Sequence, residues 1–322
     1  MNDPIKVAVV GVGKFGENHA RVYKELPGAD LVGVYDTDVA RGAEIGAKHS
    51  CRAFASLEEL IGQVQAASVA VPTEQHASVT NRLLEAGIDV LVEKPMARTV
   101  AQADQMIATA ERHQRVLQVG HLERFNPAVE AARAIARSPL FFEAHRLSPF
   151  SPRSLDVDVV MDLMIHDLDI VLSLVDSEVE EIRGVGLAVL SAKFDIANVR
   201  LGFGNGCVAN FTASRVSTER VRKLRWFQPQ EYVSVDYTRQ DAVVIAVERQ
   251  GGAPMLSHRL LNPGQQEPLR RQLESFLECV RERRKPQVNG RQGRRALELA
   301  HQIQDEMVRH AQRLQVRRVG TC

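Results

Sequence analysis

A chain of 322 residues, 44% of them hydrophobic and 25% charged, can bury more core than one average domain needs, so two domains are expected. Its 41 basic and 40 acidic residues give a formal net charge of +1, which excludes a global electrostatic field for nucleic acid or anionic lipid. Four scattered cysteines without metal-ligand spacing suit reduced thiols, and the opening residues show no signal peptide or membrane-spanning stretch, so we expect a cytoplasmic protein without a metal centre.

Short apolar runs alternate with amphipathic segments up to about residue 122, which predicts a doubly wound parallel sheet flanked by helices. The predicted strands are Ile5–Val10, Asp30–Tyr35, Ala67–Val71, Asp89–Val92 and Val116–Val119. Helices are predicted to begin near Lys14, Val39 and Ser56, after Pro72–Thr73 and after the capping residue Thr99. We therefore assign residues 1–122 to one α/β domain.

The pattern changes in residues 123–322, which we assign to a second, α+β domain. Strand signals run from Val179 to Asn262 without intervening helices, and the turns Gly204–Asn205–Gly206 and Gly251–Gly252 favour antiparallel connections. The other predicted elements are a helix from Asn126–Pro127 to about Arg137, a strand at Leu140–Leu147, and helices at Val159–Leu174, Glu267–Arg284 and Gly293–Leu314. This second sheet is expected to be unlike the first.

A glycine-rich turn, Gly11-Val-Gly13-Lys-Phe-Gly16, directly follows the first predicted strand and opens the first helix. Gly11 permits a tight turn, Gly13 lets the main chain approach a pyrophosphate, and Gly16 allows the helix to pack against the strand. Asp36 ends the second strand, where a carboxylate can bind the adenosine ribose hydroxyls and repel a 2′-phosphate, which favours NAD over NADP. The alternatives are a turn that merely uses glycine and an aspartate that merely ends a strand.

Several motifs occur in order along the chain: GVGKFGENH at 11–19, VAVPTEQH at 69–76, EKP at 93–95, GHLERFNP at 120–127, DLMIH at 162–166 and PQVNGRQGRRALELAHQI at 286–303. Together they resemble the Gfo/Idh/MocA family of oxidoreductases over nearly the whole chain. The resemblance implies a Rossmann domain, a second domain with an open, mostly antiparallel sheet often used for oligomer contacts, and a nicotinamide cofactor between them. Where many relatives carry glycines before the DxxxH aspartate, residues 156–161 read DVDVVM, which alters the approach to that helix.

Three residues are candidates for the chemistry of alcohol oxidation, which needs a base near the hydroxyl and a hydride acceptor at the same carbon. Asp162 and His166 are spaced i,i+4 in a predicted helix, so the carboxylate can orient an imidazole that acts as the base. Lys94 follows a buried-looking strand, where its ammonium can stabilise a developing alkoxide or pass a proton, and the resembled family has a catalytic lysine here. On spacing alone, the Asp–His pair can equally be structural, and an isolated lysine is usually solvated.

Ligand contacts are predicted at the carboxyl ends of the strands and at the start of the second domain. The predicted cofactor-binding residues are Gly11, Gly13, Lys14, Phe15, Gly16, Asp36, Thr37, Pro72, Thr73, His76, Glu93 and Lys94. The predicted substrate-binding residues are Lys94, Arg124, Asn126, Arg153 and His166. As alternatives, Thr73 can be a helix cap and Arg153 a solvated loop residue, and the role of His121 stays open.

Within the family, the pairing of GHLERFNPAV with RSLDVDVVMDLMIHDLD is most similar to bacterial nucleotide-sugar 3-dehydrogenases, especially those that act on UDP-N-acetylglucosamine. The resemblance implies NAD-dependent oxidation of the sugar 3-hydroxyl to a ketone, which a PLP-dependent aminotransferase then converts to a 3-amino sugar for lipid A or surface polysaccharide. The alternatives are an inositol or free-sugar dehydrogenase, a non-catalytic NAD-binding redox sensor, and an enzyme running as a reductase. A sheet with one free apolar face also predicts a homo-oligomer, a dimer or a tetramer.

Overall fold

The computed structural model describes residues 3–151, 157–250 and 253–319, which contain fourteen β-strands and nine α-helices. These residues form two compact units. The first consists of the described residues up to Phe125 together with Glu267–Leu297, and the second of Asn126–Gln266 and the described residues from Glu298 onward. The chain therefore passes from one unit to the other after Phe125, after Gln266 and after Leu297.

A six-stranded parallel sheet forms the centre of the first unit, in the order β3-β2-β1-β4-β5-β6. Its strands are β1 (Ile5–Val10), β2 (Ala29–Tyr35), β3 (Arg52–Phe54), β4 (Ala66–Val69), β5 (Asp89–Glu93) and β6 (Leu117–Gly120). Every residue of β4, β5 and β6 is buried, as expected of parallel strands covered on both faces. The strand order reverses between β1 and β4, so the ligand crevice of this sheet is expected at the carboxyl ends of these two strands.

Helices connect the strands of this sheet and continue through the rest of the chain. They are α1 (Lys14–Glu25), α2 (Val39–Lys48), α3 (Leu57–Leu60), α4 (Thr73–Glu85), α5 (Val100–Arg112), α6 (Pro127–Arg133), α7 (Ile165–Leu174), α8 (Pro268–Glu282) and α9 (Gly290–Val319). A 3₁₀ turn covers Leu122–Phe125, and a π-helical turn covers Val160–Met164. The side chains of Asp38, Ser56 and Thr99 cap three of these helices, as short polar residues commonly do.

The predicted doubly wound parallel sheet is confirmed, and its predicted strands differ from the observed ones by no more than two residues at either end. Strand β3 is the one that the sequence does not predict. Its three residues begin with an arginine and carry no apolar alternation, and pairing with β2 defines it. A strand of this length has too short a pattern to be recognised before its neighbour is known.

Helix α8 belongs to the core of the first unit, although the sequence places it in the second domain. Its apolar stripe is buried in the same hydrophobic cluster as residues of β1 and α1, and consists of Leu269, Leu273, Phe276, Leu277 and Val280. This helical spacing is the stripe by which a helix packs on a sheet or another helix. The predicted ranges 1–122 and 123–322 therefore do not coincide with the compact units.

An eight-stranded sheet forms the second unit, in the order β14-β13-β12-β11-β7-β10-β9-β8. Its strands are β7 (Phe141–Leu147), β8 (Val179–Leu187), β9 (Ile196–Phe203), β10 (Val208–Ser214), β11 (Val221–Gln228), β12 (Glu231–Asp236), β13 (Asp241–Gln250) and β14 (Ala253–Leu261). β7 and β10 run parallel and the other pairs run antiparallel, which confirms the predicted mostly antiparallel sheet. Burial alternates along β9 and β11, so one face of the sheet packs on the core.

A buried ion pair joins the sheet and helix α7 of the second unit. Arg146 on β7 contacts Asp167 through two hydrogen bonds, Nε to Oδ2 at 2.7 Å and Nη2 to Oδ1 at 3.0 Å. The Tyr237 hydroxyl donates to Oδ1 of the same carboxylate at 2.9 Å, and the guanidinium also lies 4.8 Å from the Tyr237 ring centroid. Both charges thus keep several partners after they leave water, which offsets part of their desolvation cost.

A second buried pair anchors the segment that precedes the π-helical turn. Asp195 Oδ1 accepts from Arg215 Nε at 2.8 Å, while its Oδ2 accepts three backbone N–H groups, those of residues 189–191. Burial would raise the pKa of Asp195, but hydrogen bonds from Ser191, Val189 and Leu190 hold that pKa well below its usual range. Arg215 also donates to Val157 O at 2.8 Å, so the pair fixes the main chain just before the turn.

Some predicted elements of the second unit need correction. The single helix predicted at Val159–Leu174 is interrupted, because Val160–Met164 forms a π-helical turn before α7 begins. The helix predicted to reach about Arg137 ends at Arg133. Arg153 and the Gly251–Gly252 turn lie outside the described residues.

We expect a fragment of residues 1–122 to fail to fold as an independent domain, because it lacks α8. The five side chains of the apolar stripe of α8 are each worth about 1.5–3 kcal/mol on burial. Their sum approaches the whole free energy of unfolding of a typical domain, about 5–15 kcal/mol. A fragment that joins residues 3–125 to 267–297 through a flexible linker should unfold cooperatively. Thermal melts followed by circular dichroism compare the two fragments, and a cooperative transition in residues 1–122 alone would contradict this expectation.

Candidate cofactor and catalytic site

The turn between β1 and α1 places its three glycines in different surroundings. Gly11 has a φ of +83°, and a Cβ added there would lie 2.6 Å from Val71 N. A Cβ added to Gly16 would lie 1.8 Å from Gly11 O, whereas one added to Gly13 would meet nothing within 4 Å. Gly11 and Gly16 therefore pack main chain against main chain, and Gly13 leaves open space before the first turn of α1. This is the arrangement that a pyrophosphate needs to approach the helix N-terminus.

Asp36 follows β2 immediately, and its carboxylate lies against the glycine turn. The Val12 N–H donates to Oδ2 at 2.7 Å, and the Asp38 N–H donates to Oδ1 at 2.9 Å. These two bonds fix the carboxylate at the end of β2, the position from which the acid of a Rossmann fold contacts the adenosine ribose. Thr37 is exposed beside it. Their contact with the cofactor stays a prediction.

Glu93, which begins the EKP segment, is held by a histidine of α1. Nε2 of the buried His19 lies 3.1 Å from Glu93 Oε1, and the Lys94 N–H donates to Oε2 at 3.3 Å. Gly120 packs on the same carboxylate so closely that a Cβ there would lie 2.5 Å from Oε1. Glu93 is thus enclosed by α1 and the end of β6, and it fixes the main chain that leads into Lys94.

His76 joins the segment after β4 to the segment after β5. Its Nδ1 lies 2.8 Å from Pro95 O, and its Nε2 lies 2.9 Å from Val71 O. Burial lowers the pKa of His76, although the two carbonyl oxygens act in the opposite direction. A neutral ring can donate to one carbonyl at a time. This geometry favours a positioning role for His76, and the predicted contact with the cofactor stays a prediction.

The other predicted cofactor residues lie at the carboxyl ends of the same strands. Pro72 is the N-cap of α4 and Thr73 is its first helical residue, so Thr73 is not the cap. Lys14 and Phe15 are exposed in the first turn of α1, with Phe15 49% exposed. Lys94 is half-buried. These side chains are placed where open α/β sheets bind ligands.

The DxxxH pair of the second unit spans the junction of the π-helical turn and α7. Asp162 lies within the turn, whose i→i+5 bond runs from the Ile165 N–H to Val160 O. His166 lies in the first turn of α7, and both Asp162 and His166 are half-exposed. π-helical turns inside longer helices occur frequently at functional sites.

The predicted substrate ligands Arg124 and Asn126 are buried, each 2% exposed. Asn126 Oδ1 accepts the Ala128 N–H at 3.1 Å, and its Nδ2 donates to Tyr237 O at 3.0 Å. Because both polar atoms of the amide have main-chain partners, the geometry favours a structural role for Asn126. Substrate contact by either residue stays a prediction. His121 is 1% exposed, and its role stays open.

Comparisons with known proteins extend over both units. Residues 5–121 match the profile of the oxidoreductase family with an NAD-binding Rossmann fold, and residues 133–232 match the GFO/IDH/MocA C-terminal domain. The UDP-N-acetylglucosamine 3-dehydrogenase of Acidithiobacillus ferrooxidans is 37% identical over 305 residues, 93% of this chain and 96% of that protein. The chain belongs to the GFO/IDH/MocA family of oxidoreductases.

Solved structures and a further relative extend the comparison. A crystal structure of the Acidithiobacillus enzyme superposes with a TM-score of 0.89 at 36% identity, covering 95% of this chain and 98% of that chain. The inositol 2-dehydrogenase of Acidothermus cellulolyticus is 31% identical over 192 residues, 56% of each chain. Levoglucosan dehydrogenase in complex with NADH and levoglucosan has a TM-score of 0.85 at 17% identity, covering 95% and 98%, which shows the shared fold alone.

NAD is the cofactor of this family's Rossmann domain, and the residues of the first unit fit it. The open space at Gly13 and the close packing at Gly11 and Gly16 leave the main chain accessible to a pyrophosphate. The fixed carboxylate of Asp36 at the end of β2 suits ribose hydroxyls.

Other kinds of site find no support in the part of the chain that the structure describes. Within it, no group of three or more His, Cys, Asp or Glu side chains is arranged to hold a metal ion. Cys51, Cys207 and Cys279 are free thiols, and burial raises the pKa of Cys207 to about 11. Cys322 lies outside the described residues. None of the described helices combines the length and the apolarity that crossing a bilayer requires.

His19 is the site residue to which sequence reasoning assigns no role. It closes the GVGKFGENH motif, but 74 residues separate it from Glu93, so no local pattern indicates the contact. Its spacing three residues after Gly16, on the face of α1 that turns toward the sheet, is the one signal available.

We expect His19→Leu to lower kcat about tenfold or more with little change in the Kd for NADH. A hydrogen bond to a charged group is worth about 1.5–3 kcal/mol, and without it Glu93 no longer fixes the main chain at Lys94. His19→Gln, whose amide nitrogen can take the place of Nε2, should restore most of the rate. Steady-state kinetics and NADH titrations test both variants. A normal kcat in His19→Leu, with only a lowered melting temperature, would limit His19 to a role in stability.

Proposed function

We propose that this protein oxidises the 3-hydroxyl of UDP-N-acetylglucosamine to a ketone, with NAD as the hydride acceptor. The observation that carries the proposal is the 37% identity to a UDP-N-acetylglucosamine 3-dehydrogenase over 93% of the chain. The local geometry supports it, because each unit presents a candidate for the chemistry. Lys94 follows β5 in the first unit, and Asp162 with His166 follows the anchored segment at residue 157 in the second.

The proposed roles divide the work of alcohol oxidation among these side chains. When bound, the nicotinamide of NAD accepts the hydride from the alcohol carbon. His166 takes the hydroxyl proton, and the Asp162 carboxylate orients the imidazole and stabilises its charged form. The Lys94 ammonium donates a hydrogen bond to the reacting oxygen and stabilises its developing negative charge. Arg124 and Arg153 complete the proposal as substrate ligands, because an arginine fork suits a diphosphate, whereas Asn126 holds the main chain at the start of α6.

The proposal extends to the fate of the product. Oxidation of an isolated alcohol by NAD yields little ketone at equilibrium unless the ketone is removed. We therefore propose that the protein is functionally coupled to a PLP-dependent aminotransferase, which converts the ketone to a 3-amino sugar for lipid A or surface polysaccharide. We also propose that both reactions take place in the cytoplasm. The family resemblance of the chain supports this coupling.

The test of the proposed function is to incubate the purified protein with NAD and UDP-N-acetylglucosamine and to follow NADH absorbance. Mass spectrometry of the sugar nucleotide should show the loss of one hydride and one proton, and an aminotransferase with glutamate should increase the yield. Parallel reactions contain myo-inositol or a free hexose. Oxidation of these alcohols alone would support an oxidoreductase and exclude the sugar nucleotide as its substrate. NADH binding without oxidation of any alcohol would instead favour a redox sensor.

His166→Asn and Lys94→Ala provide the matched variants for this assay. Loss of a general base typically lowers turnover by about 10²–10⁴-fold, so we expect a loss in that range for His166→Asn and a sharp loss for Lys94→Ala. NADH titrations should show near-normal affinity in His166→Asn, because the residue lies outside the Rossmann unit. Near-normal turnover in both variants would refute the catalytic assignments.

We further propose that the protein is a homo-oligomer, a dimer or a tetramer, in which a second copy covers the open face of the second unit's sheet. Residues paired directly across neighbouring strands lie on one face of a sheet. By this criterion Val243 shares a face with Leu260, and Val247 with Leu256. These four side chains are 36–64% exposed, and such a contiguous apolar surface is expected to be covered.

The oligomer is tested by measuring molar mass with light scattering after gel filtration. We expect the double variant Leu256→Glu, Leu260→Glu to lower the mass relative to the unmodified protein, because it places two charges on the apolar face. Leu190→Glu is the matched control, since Leu190 is 59% exposed on a loop of the same unit and should leave the mass unchanged. A monomer in the unmodified protein would contradict the proposal.

A further inference from the structure

Val12, the residue between the first two glycines of the turn, is hydrogen-bonded to an acidic side chain and to a basic one. The Val12 N–H donates to Asp36 Oδ2 at 2.7 Å, while Arg41 Nε, from the first turn of α2, donates to Val12 O at 3.0 Å. Asp36 and Arg41 therefore flank one residue of the glycine turn. A guanidinium is the group best suited to bind a phosphate, so this end of the site contains both a group that repels a ribose 2′-phosphate and a group able to bind one.

The guanidinium of Arg41 is already paired with two carboxylates. Its Nη2 lies 2.6 Å from Glu17 Oε2, and its Nη1 lies 2.8 Å from Glu44 Oε2. Glu17 also contacts Lys48 Nζ through its other oxygen at 2.5 Å. The hydrogen bonds from Lys48 and from Arg41 lower the pKa of Glu17, so this carboxylate is ionised at neutral pH.

The resulting charge balance is negative. Four carboxylates (Asp36, Asp38, Glu17 and Glu44) face two cations (Arg41 and Lys48) in this network, which leaves a net charge of −2. A 2′-phosphate carries about −1.5 to −2 charges, so it would meet repulsion even though an arginine is present. Replacing the two glutamates by neutral residues, with Asp36 and Asp38 intact, would change this net charge from −2 to 0.

We infer that Arg41 is a latent 2′-phosphate-binding residue and that Glu17, assisted by Glu44, blocks it, so that Glu17 determines the preference for NAD over NADP together with Asp36. This inference rests on the proposed placement of NAD at the glycine turn and is independent of the sugar substrate. It assigns a function to an ion pair that would otherwise only brace α1 against α2. The two roles differ in their consequences, because a bracing pair affects stability alone.

The experiment is isothermal titration of the full-length protein with NADH and with NADPH at low salt, where half-exposed charges are least screened. The double variant Glu17→Gln, Glu44→Gln keeps the side-chain shapes and should bind NADPH about tenfold more tightly than the unmodified protein. Its affinity for NADH should stay within about threefold. Adding Arg41→Met to the double variant should abolish the gain, whereas Arg41→Met alone should leave the weak NADPH binding nearly unchanged.

An unchanged NADPH affinity in the double variant, with normal NADH binding, would overturn the inference. A gain that survives Arg41→Met would also overturn it, because the phosphate would then be bound by another group. If the double variant does not fold, Glu44→Gln alone removes one carboxylate from an exposed helix surface and should give a smaller gain that Arg41→Met again removes. Failure of the unmodified protein to bind NADH would instead refute the placement of the cofactor.

Discussion

The close approach of α1 to β1 is the contact on which the arrangement of the first unit depends. It is possible only because residue 16 has no side chain, since a Cβ on Gly16 would lie 1.8 Å from Gly11 O. The contact is made by main chain on both sides, so neither partner can move aside as a flexible side chain would. It therefore fixes the height and rotation of α1 relative to the sheet, and with them every side chain that α1 carries.

Two networks follow from this placement of α1, and they lead to different ends of the candidate site. Glu17 points to α2 and holds Arg41 beside Asp36, while His19 points into the unit and holds Glu93 beside Lys94. The His19–Glu93 contact is buried, so loss of either partner would leave the other poorly solvated. The Glu17–Arg41 contact is half-exposed and screened by solvent, so its contribution to stability is small. A pair of this kind can be retained for its effect on ligand charge with little consequence for folding.

The sequence predicts the parts of this arrangement that depend on residues close together in the chain. Strand periodicity, the spacing of Gly11, Gly13 and Gly16, and the aspartate after the second strand are all local signals. The His19–Glu93 and Arg41–Glu17 contacts join residues 74 and 24 positions apart, and their partners are known only when the strand order is known. The assignment of α8 fails for a related reason. Its apolar stripe predicts an amphipathic helix, but the stripe does not indicate whether the helix packs on the core of the first unit or on that of the second.

The second unit uses a buried charge pair where the first uses glycine. Asp167 is 2% exposed and forked to Arg146, whereas the preceding residue, His166, is half-exposed. Successive helical residues point about 100° apart, so fixing Asp167 inward also fixes the direction in which His166 leaves α7. An apolar pair in place of Arg146 and Asp167 could fill the same space at equal or lower cost in stability. Apolar packing is not directional, so such a pair would restrict the rotation of α7 less. Because the two hydrogen bonds of the Arg146–Asp167 fork are directional, we expect them to favour one rotation of α7 and so to restrict the direction in which His166 leaves the helix.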